Sequence, residues 1–437
     1  MNALPHKALT YTESLCPQCL KVIDAQIIVQ DGAVYMKKTC PDHGPFTVYV
    51  WPDADHYNWA RSFRVPFRAP KLARDFADCC PTSCGLCSLH QRHSTLIELE
   101  VTQRCNLRCP VCFMAAEASP PDPPLAQLET IYANILEKAG EQTSIQLTGG
   151  EPTMRKDLPE IVRAGRMIGF SAIEINTNGL VISRNPRFLD KLVEAGISGI
   201  YLQFDGLTAD VYTQIRGEDL LADKLQAIEN CRDVGIQVVL AMTIIQGVNE
   251  DQIGAVLNFA LENLDVVAGV ALQPAFTSGR FDVQNTRRLT MGDVVFMLAE
   301  QTDGLIQPYE MWPLGCSHPL CSCGTQLVKE GDHFVPATRQ ITRSEYLEAF
   351  DAHSPQGSIF ADILARKNGT IAPGLSVVVM NYMDAVSMDM ARLKECSMTV
   401  AMDDDRLIPF CAYQVTNVDG KRLYPAWIKP EAVFLEG

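Results

Sequence analysis

The residues of this chain best suited to chemistry are its cysteines, 16 of them in 437 residues. Cys105-Asn-Leu-Arg-Cys109-Pro-Val-Cys112 spaces three thiols as C-x3-C-x2-C. Three thiolates on one tight loop can ligate three irons of a [4Fe–4S] cube and leave the fourth open. A structural metal site closes its coordination instead, so three ligands point to reactivity, with a zinc loop as the alternative for this motif alone. Cys16-Pro-Gln-Cys19 with Cys40-Pro-Asp-His43 reads as two metal knuckles. Three thiolates and an imidazole suit one zinc or one rubredoxin-like iron. The alternatives are that His43 is a turn residue and the metal takes another ligand, and that the module is structural or transfers electrons. Cys79, Cys80, Cys84 and Cys87 form a further group, as do Cys316, Cys321 and Cys323. Cys396 and Cys411 are singles placed to complete those sets. Cys231, in a helical stretch over 224–234, reads as a small buried hydrophobe.

An even cysteine count could also mean disulfides, but that framework belongs to short secreted chains. This chain is long and 47% apolar, and residues 1–20 lack an apolar leader segment. A cytoplasmic, metal-loaded protein is therefore the expectation. No apolar run approaches the length of a membrane span. Lys+Arg 37 against Asp+Glu 52 gives a net charge of −15, which argues against gripping nucleic acid by overall charge.

These groups need elements to hold them. Strands are predicted over 96–101, 144–148, 172–176, 199–204, 237–243 and 267–273, each an apolar β-rich run ending in polar or Gly residues. Helical patterns lie between them. In 125–139 one face carries Leu125, Leu128, Ile131, Tyr132, Ile135 and Leu136, with Pro123 and Pro124 before it and Gly140 after it. Asp157 is placed to cap the next helix, and Thr290 with Asp293 to cap a later one. Serial strand–helix units imply a parallel sheet with right-handed crossovers. Six are too few for a full eight-fold barrel, so the expected class is α/β, a partial (βα)6 TIM-like barrel. It carries an N-terminal rubredoxin- or zinc-ribbon-like module and an irregular C-terminal iron–sulfur domain. The expected divisions are 1–60, 61–93 (the Cys-rich auxiliary segment), 94–280 and 281–437. Ligands in such sheets bind at the C-terminal strand ends, where the unusual polar residues cluster: 102–112, 148–152, 176–179, and Asp205-Gly206.

The three-cysteine loop after the first strand resembles the radical S-adenosylmethionine (SAM) superfamily. Gly149-Gly150-Glu151-Pro152 after the second strand matches its GGEP motif. Asn176-Thr177-Asn178-Gly179 resembles its ribose-side loop, and 212–217 its stretch after the fourth strand. Val111 departs from the family, which usually has an aromatic there. The resemblance covers roughly 94–280. It implies that Cys105, Cys109 and Cys112 hold the catalytic cluster. It also implies that Gly149, Gly150, Glu151, Pro152, Asn176, Asn178 and Asp205 bind SAM, with bracing of the SAM loop as the plainer role for Asp205. The implied chemistry is reductive cleavage of SAM to a 5′-deoxyadenosyl radical that abstracts hydrogen from an unactivated carbon. Such chemistry requires a low-potential electron donor such as ferredoxin or flavodoxin.

The full cysteine order is similar to the archaeal tetraether lipid synthases and the related class D radical SAM methyltransferases acting on pterin precursors. That resemblance implies C–C bond formation, and the cysteine count points to two auxiliary [4Fe–4S] clusters. Leaving out Cys231, nine cysteines remain for those clusters, enough for two with one spare. The substrate is a lipid or a small molecule such as a pterin. A lipid would bring an apolar tunnel and peripheral membrane contact; a pterin would need a small pocket with a few polar partners. Gln273 and Arg280 are further pocket candidates. His90, His93 and His318 are read as solvated or hydrogen-bonded rather than as ligands. The alternatives to the enzyme are a non-catalytic iron–sulfur carrier or scaffold, and a zinc-ribbon binding protein without catalysis.

Overall fold

A computed structural model describes residues 8–65, 67–70, 80–115, 121–283, 286–350, 358–369 and 373–425. The chain opens with an antiparallel four-stranded sheet in sequential order. Its strands are β1 (Ala8–Leu15), β2 (Val22–Gln30), β3 (Ala33–Cys40) and β4 (Gly44–Trp51). Alternating positions of β2 and β3, among them Ala25, Ile27, Val34 and Met36, are buried, as expected for strands with one face on a core. A helix over Ala54–Arg61 follows, capped by the Asp53 side chain on the His56 amide.

The six predicted strands all form, within one or two residues of their expected ends. They are β5 (Leu96–Thr102), β7 (Ser144–Gly149), β8 (Ile173–Thr177), β9 (Gly199–Gln203), β10 (Val238–Ile244) and β11 (Val267–Pro274). They pair parallel in the order β5-β7-β8-β9-β10-β11. A short β6 (Val111–Cys112) lies in the cysteine loop and pairs with β12 (Arg280–Phe281). The C-terminal region then supplies β13 (Trp312–Pro313), β14 (Ser322–Glu330), β15 (His333–Pro336), β16 (Gly374–Met380), β17 (Met398–Ala401) and β18 (Leu407–Pro409). Strand β16 extends the parallel sheet beyond β11, and β17 extends it beyond β5. The barrel is partial, and both of its flanks are built from late sequence.

Strand alternation sorts the side chains. Ile97, Leu99, Ile145, Leu147, Ile173 and Ile175 are fully buried in the main apolar core. The alternate positions, Glu98, Gln146, Glu174 and Asn176 among them, face the barrel interior. The helix over Leu125–Ala139 buries Leu128, Ile131, Tyr132 and Ile135 as its periodicity predicts. The Thr290–Asp293 capping box forms at Met291–Gln301. Asp157 stands before the helix Leu158–Ile168 but makes no capping bond. Arg155 takes both of its oxygens instead, at 2.9 and 2.5 Å, because a guanidinium fork two residues away competes better than an amide.

Candidate active site

Strand β5 ends at Thr102, and the cysteine loop springs from it at the C-terminal mouth of the barrel. Cys105, Cys109 and Cys112 gather with Leu107, Leu180, Tyr212 and Leu220 in one apolar cluster. Burial pushes the Cys105 thiol up to about 12 and raises Cys109 as well. Such thiols stay protonated until a metal displaces the protons. The Leu107 amide points at the Cys105 sulfur at 3.4 Å. Three arginines tie down the loop's carbonyls. Arg216 donates to Val111 at 3.0 Å, Arg280 to Cys109 at 2.8 Å, and Arg422 to Phe113 and Met114 at 3.0 and 2.6 Å. Positive charge is thereby fixed beside a site that would carry thiolates.

Asp205 is fully buried and pairs with Arg216 through both oxygens, at 2.7 and 2.8 Å. It also accepts from the Thr243 amide at 3.1 Å. Its place is behind the cysteine loop, as the brace of a brace. The motif 212–217 drew attention for its likeness, but the sequence held no sign that Arg216 is its working member.

The GGEP turn packs directly on the loop's start. The Gly150 amide donates to Thr102 O and the Glu151 amide to Arg104 O, both at 2.8 Å. A Cβ on Gly149 would lie 2.0 Å from Thr102 O, and one on Gly150 2.3 Å from Arg104 O. The close approach, and a φ of +135° at Gly149, admit only glycine. Glu151 is buried. Its Oε1 accepts from Thr153 N, Thr153 Oγ1 and Thr177 Oγ1, and its Oε2 from Asn178 N at 2.7 Å. The carboxylate therefore clamps the GGEP turn to the 176–179 loop, and Oε2 keeps room for one more donor. Pro152 opens a short 3-10 turn there. The Asn178 side chain donates to Asn106 Oδ1 of the cysteine loop at 2.8 Å. Lys224, which sequence reading passed over, is fully buried. It donates to Asn178 O at 2.5 Å and Gln203 Oε1 at 2.9 Å. Asn176 turns the other way, toward Gln146 in the barrel, at 3.2 Å.

In the N-terminal sheet the ligand atoms of Cys16, Cys19, Cys40 and His43 all lie within 4.8 Å of one another. Burial opposes ionisation of Cys40, but hydrogen bonds from the His43 side chain, the Asp42 backbone and Cys16 win and lower it to about 6. Three sulfurs and one imidazole in this space fit a tetrahedral zinc or iron.

The chain is similar in sequence to several known proteins. Residues 99–260 match the radical SAM superfamily, and residues 8–52 match the HMPTM N-terminal zinc ribbon domain. The 7,8-dihydro-6-hydroxymethylpterin dimethyltransferase of Methanocaldococcus jannaschii is 33% identical over 473 aligned positions, covering 93% of each chain. This chain belongs to that radical SAM family. A GTP 3′,8-cyclase of Pelotomaculum thermopropionicum is 35% identical over 43% of this chain and 58% of its own. Among solved structures, Streptococcus suis SuiB bound to precursor peptide SuiA superposes with a TM-score of 0.42 and 17% identity, over 49% of this chain and 46% of that one.

A radical SAM enzyme uses SAM and a [4Fe–4S] cluster, and the residues present fit both. The loop offers three thiols, and beside it Glu151 Oε2 has room for one further donor. The remaining cysteines of this radical SAM chain divide in space. Cys80, Cys84 and Cys87 line one small cavity, with Lys394 and Pro409 opposite. A hydrogen bond between the Cys80 and Cys84 thiols lowers Cys80 and raises Cys84. Cys79 lies outside the described residues. Cys321, Cys396 and Cys411 form a second set. Burial raises Cys396, and the charges of Cys411 and Cys321 add to it; burial raises Cys411 to about 12, with Cys321 adding. Cys316 feels Cys321 in the same way after burial and Arg92. Cys323 is buried in β14, and burial alone raises it. Cys231 is buried in the helix Leu221–Asp233, as expected. His90 bridges the two sets, its Nε2–H donating to Cys396 O at 2.7 Å. His318 accepts from the Leu320 amide, and the half-buried His93 lies 3.2 Å from Arg68 O.

Proposed function

We propose that this radical SAM enzyme adds a one-carbon unit to a carbon of a pterin, in the manner of a class D methyltransferase. The observation that carries the reading is the 33% identity with a named pterin dimethyltransferase over 93% of this chain. Cys105, Cys109 and Cys112 would hold the cluster, and Gly149, Gly150, Glu151, Pro152 and Asn178 would frame SAM, with Asp205 acting through Arg216. When bound, the reduced cluster with SAM supplies a 5′-deoxyadenosyl radical for hydrogen abstraction. The chain's own part is to seat the thiols, hold the cradle by Glu151 and Lys224, and exclude water.

Cys80, Cys84 and Cys87, with Cys79, would hold one auxiliary cluster; Cys316, Cys321, Cys396 and Cys411 would hold the other. Cys323 is then the spare. Divisions at 60, 93 and 280 serve these roles as ribbon, auxiliary segment, barrel and closing domain. A cytoplasmic site and a ferredoxin- or flavodoxin-type donor follow from the need for low-potential electrons. The polar face turned into the barrel speaks against lipid alkyl coupling, and with it against membrane contact. Among the described residues no helix is long and apolar enough to cross a membrane.

The test is anaerobic turnover of the reconstituted enzyme with dithionite, SAM, 7,8-dihydro-6-hydroxymethylpterin and a one-carbon donor, supplied as excess SAM in one arm and as a methylene-bearing tetrahydropterin in the other, because SAM cleaved to 5′-deoxyadenosine leaves its methyl on methionine. Formation of 5′-deoxyadenosine and a methylated pterin is expected. Cleavage of SAM with no change in the pterin's mass would refute the substrate, and no cleavage would refute catalysis. Changing Cys105, Cys109 or Cys112 to Ala should abolish cleavage. Cys321→Ser should lose about four irons of the full complement while Cys323→Ser keeps them all.

A further inference from the structure

The barrel interior holds a row of polar side chains that the SAM cradle does not use. Glu98, Gln146 and Glu174 are register partners on β5, β7 and β8 and so stand side by side on one face. Gln146 Nε2 donates to Glu174 Oε2 at 2.9 Å, and Asn176 Nδ2 donates to Gln146 Oε1 at 3.2 Å. Around this small network three buried oxygens have no partner among the described residues: Glu98 Oε2, Glu100 Oε1 and Asn176 Oδ1. Glu98 is only 3% exposed. Buried polar atoms are nearly always hydrogen-bonded, so a cluster of orphans needs an explanation. Asn176 Oδ1 can only accept, and each of the two carboxyls, with or without its proton, offers an accepting oxygen. The missing partner is therefore a donor, and more than one donor is missing.

A cavity of about 980 Å³ reaches this row. Gln146, Glu174, Ser376 and Val378 line it from the strands, and Arg92 and Cys316 from outside the barrel. It opens at the N-terminal ends of β5 and β7, away from the cysteine loop. Glu98 lies four residue steps before Thr102, where that loop begins, a rise of about 13 Å. A flat bicyclic ring held at the row would thus turn its far edge toward the SAM side.

We propose that Glu98, Gln146, Glu174 and Asn176 form the recognition site for the amino–oxo edge of the pterin ring. This rests on the substrate reading above and deepens it. A 2-amino-4-oxo ring presents an exocyclic amine and an adjacent ring N–H, the paired donors that the orphan acceptors lack. An ionised carboxylate can take both at once, and two such donors favour that form. An alkyl chain offers neither.

The test is equilibrium binding to the anaerobically reconstituted full chain in the presence of SAM. The two probes are 7,8-dihydro-6-hydroxymethylpterin and its counterpart with oxygen in place of the 2-amino group. A site built to pair a donor rejects the analogue that lacks it. The wild type should bind the pterin at least about tenfold more tightly, and Glu98→Gln and Glu174→Gln should erase that preference. Iron content and unfolding midpoint verify that the variants are folded, and the analogue comparison on the wild type needs no variant at all. Equal binding of both rings by the wild type, or a preference surviving in both variants, overturns the recognition site. If the enzyme still methylates the pterin then, the substrate reading stands alone. If the wild type binds neither ring, both fall.

Discussion

Arg216 does three jobs from one buried position: it pairs with Asp205, bonds Thr243 and holds the Val111 carbonyl of the cluster loop. Asp205→Asn leaves that guanidinium without its counter-charge. Breaking a buried pair in this way costs about 3–5 kcal/mol, so the variant should unfold at markedly lower denaturant and cleave SAM poorly. An unchanged midpoint would show that the pair is not holding the loop. A second expectation concerns Glu98 and Glu100. Burial, and for Glu98 the charge of Glu100, push them to about 8 and 7. For Glu100, Arg422 and the Tyr413 hydroxyl pull the other way. Tyr201 and Tyr382 also feel Glu98. Carboxyls raised in the folded state hold protons that the unfolded chain releases. Their neutral form is therefore compatible with folding at low pH, and stability is lost as pH rises through about 7 to 8. Glu98→Gln should stabilise the ligand-free protein more at pH about 8.5 than at about 5. Paired unfolding curves at the two pH values test this, and an increment independent of pH would contradict it.

At the scale of elements, the tightest constraint is the meeting of β7 with the start of the cysteine loop. Gly149→Ala would drive its Cβ into Thr102 O. The turn should open, with loss of SAM-dependent 5′-deoxyadenosine formation and little change in ribbon metal, both readable on one preparation. This turn was legible in sequence because glycine pairs are local signals. So were the six strands, whose apolar runs are short and bounded by polar residues, and the ribbon knuckles, whose spacing carries the ligand geometry. Tertiary partners were not. Nothing in Gly374–Met380 says that it continues a sheet left at Pro274, or in Met398–Ala401 that it pairs with Leu96. The Glu98 and Glu100 charges were visible inside an apolar strand, but their want of partners depends on what five other strands present. Cys323 differs from Cys321 by two residues in sequence, and only its inward place in β14 sets it apart.

For the molecule as a whole, the ribbon is latched to the segment that follows β16. Lys38 on β3 is buried and donates to Ser14 Oγ and Leu15 O within the ribbon, and to Ala385 O and Val386 O outside it. Burial lowers it to about 8. Asp384 in the same C-terminal stretch is held by Arg288 and Thr277. Stripping the ribbon metal with a chelator should thus raise amide exchange not only over 8–51 but also over 383–389, while 144–203 stays protected. Protection unchanged at 383–389 would mean that the ribbon is an independent appendage.

The flanking strands also set a timetable. Strand β5 carries the cluster loop and leaves the ribosome early, yet its outer neighbour β17 is about three hundred residues behind it. Until that stretch arrives, β5 presents an open edge next to three unmetallated thiols. Cluster insertion before release would load a half-built barrel, whereas insertion afterwards would meet a loop already fixed by Arg280 and Arg422. The second of these arginines lies beyond β17. The order of biosynthesis thus favours a finished chain as the acceptor in cluster assembly, with a long interval in which the nascent enzyme depends on protection from oxygen and from its own unpaired edge.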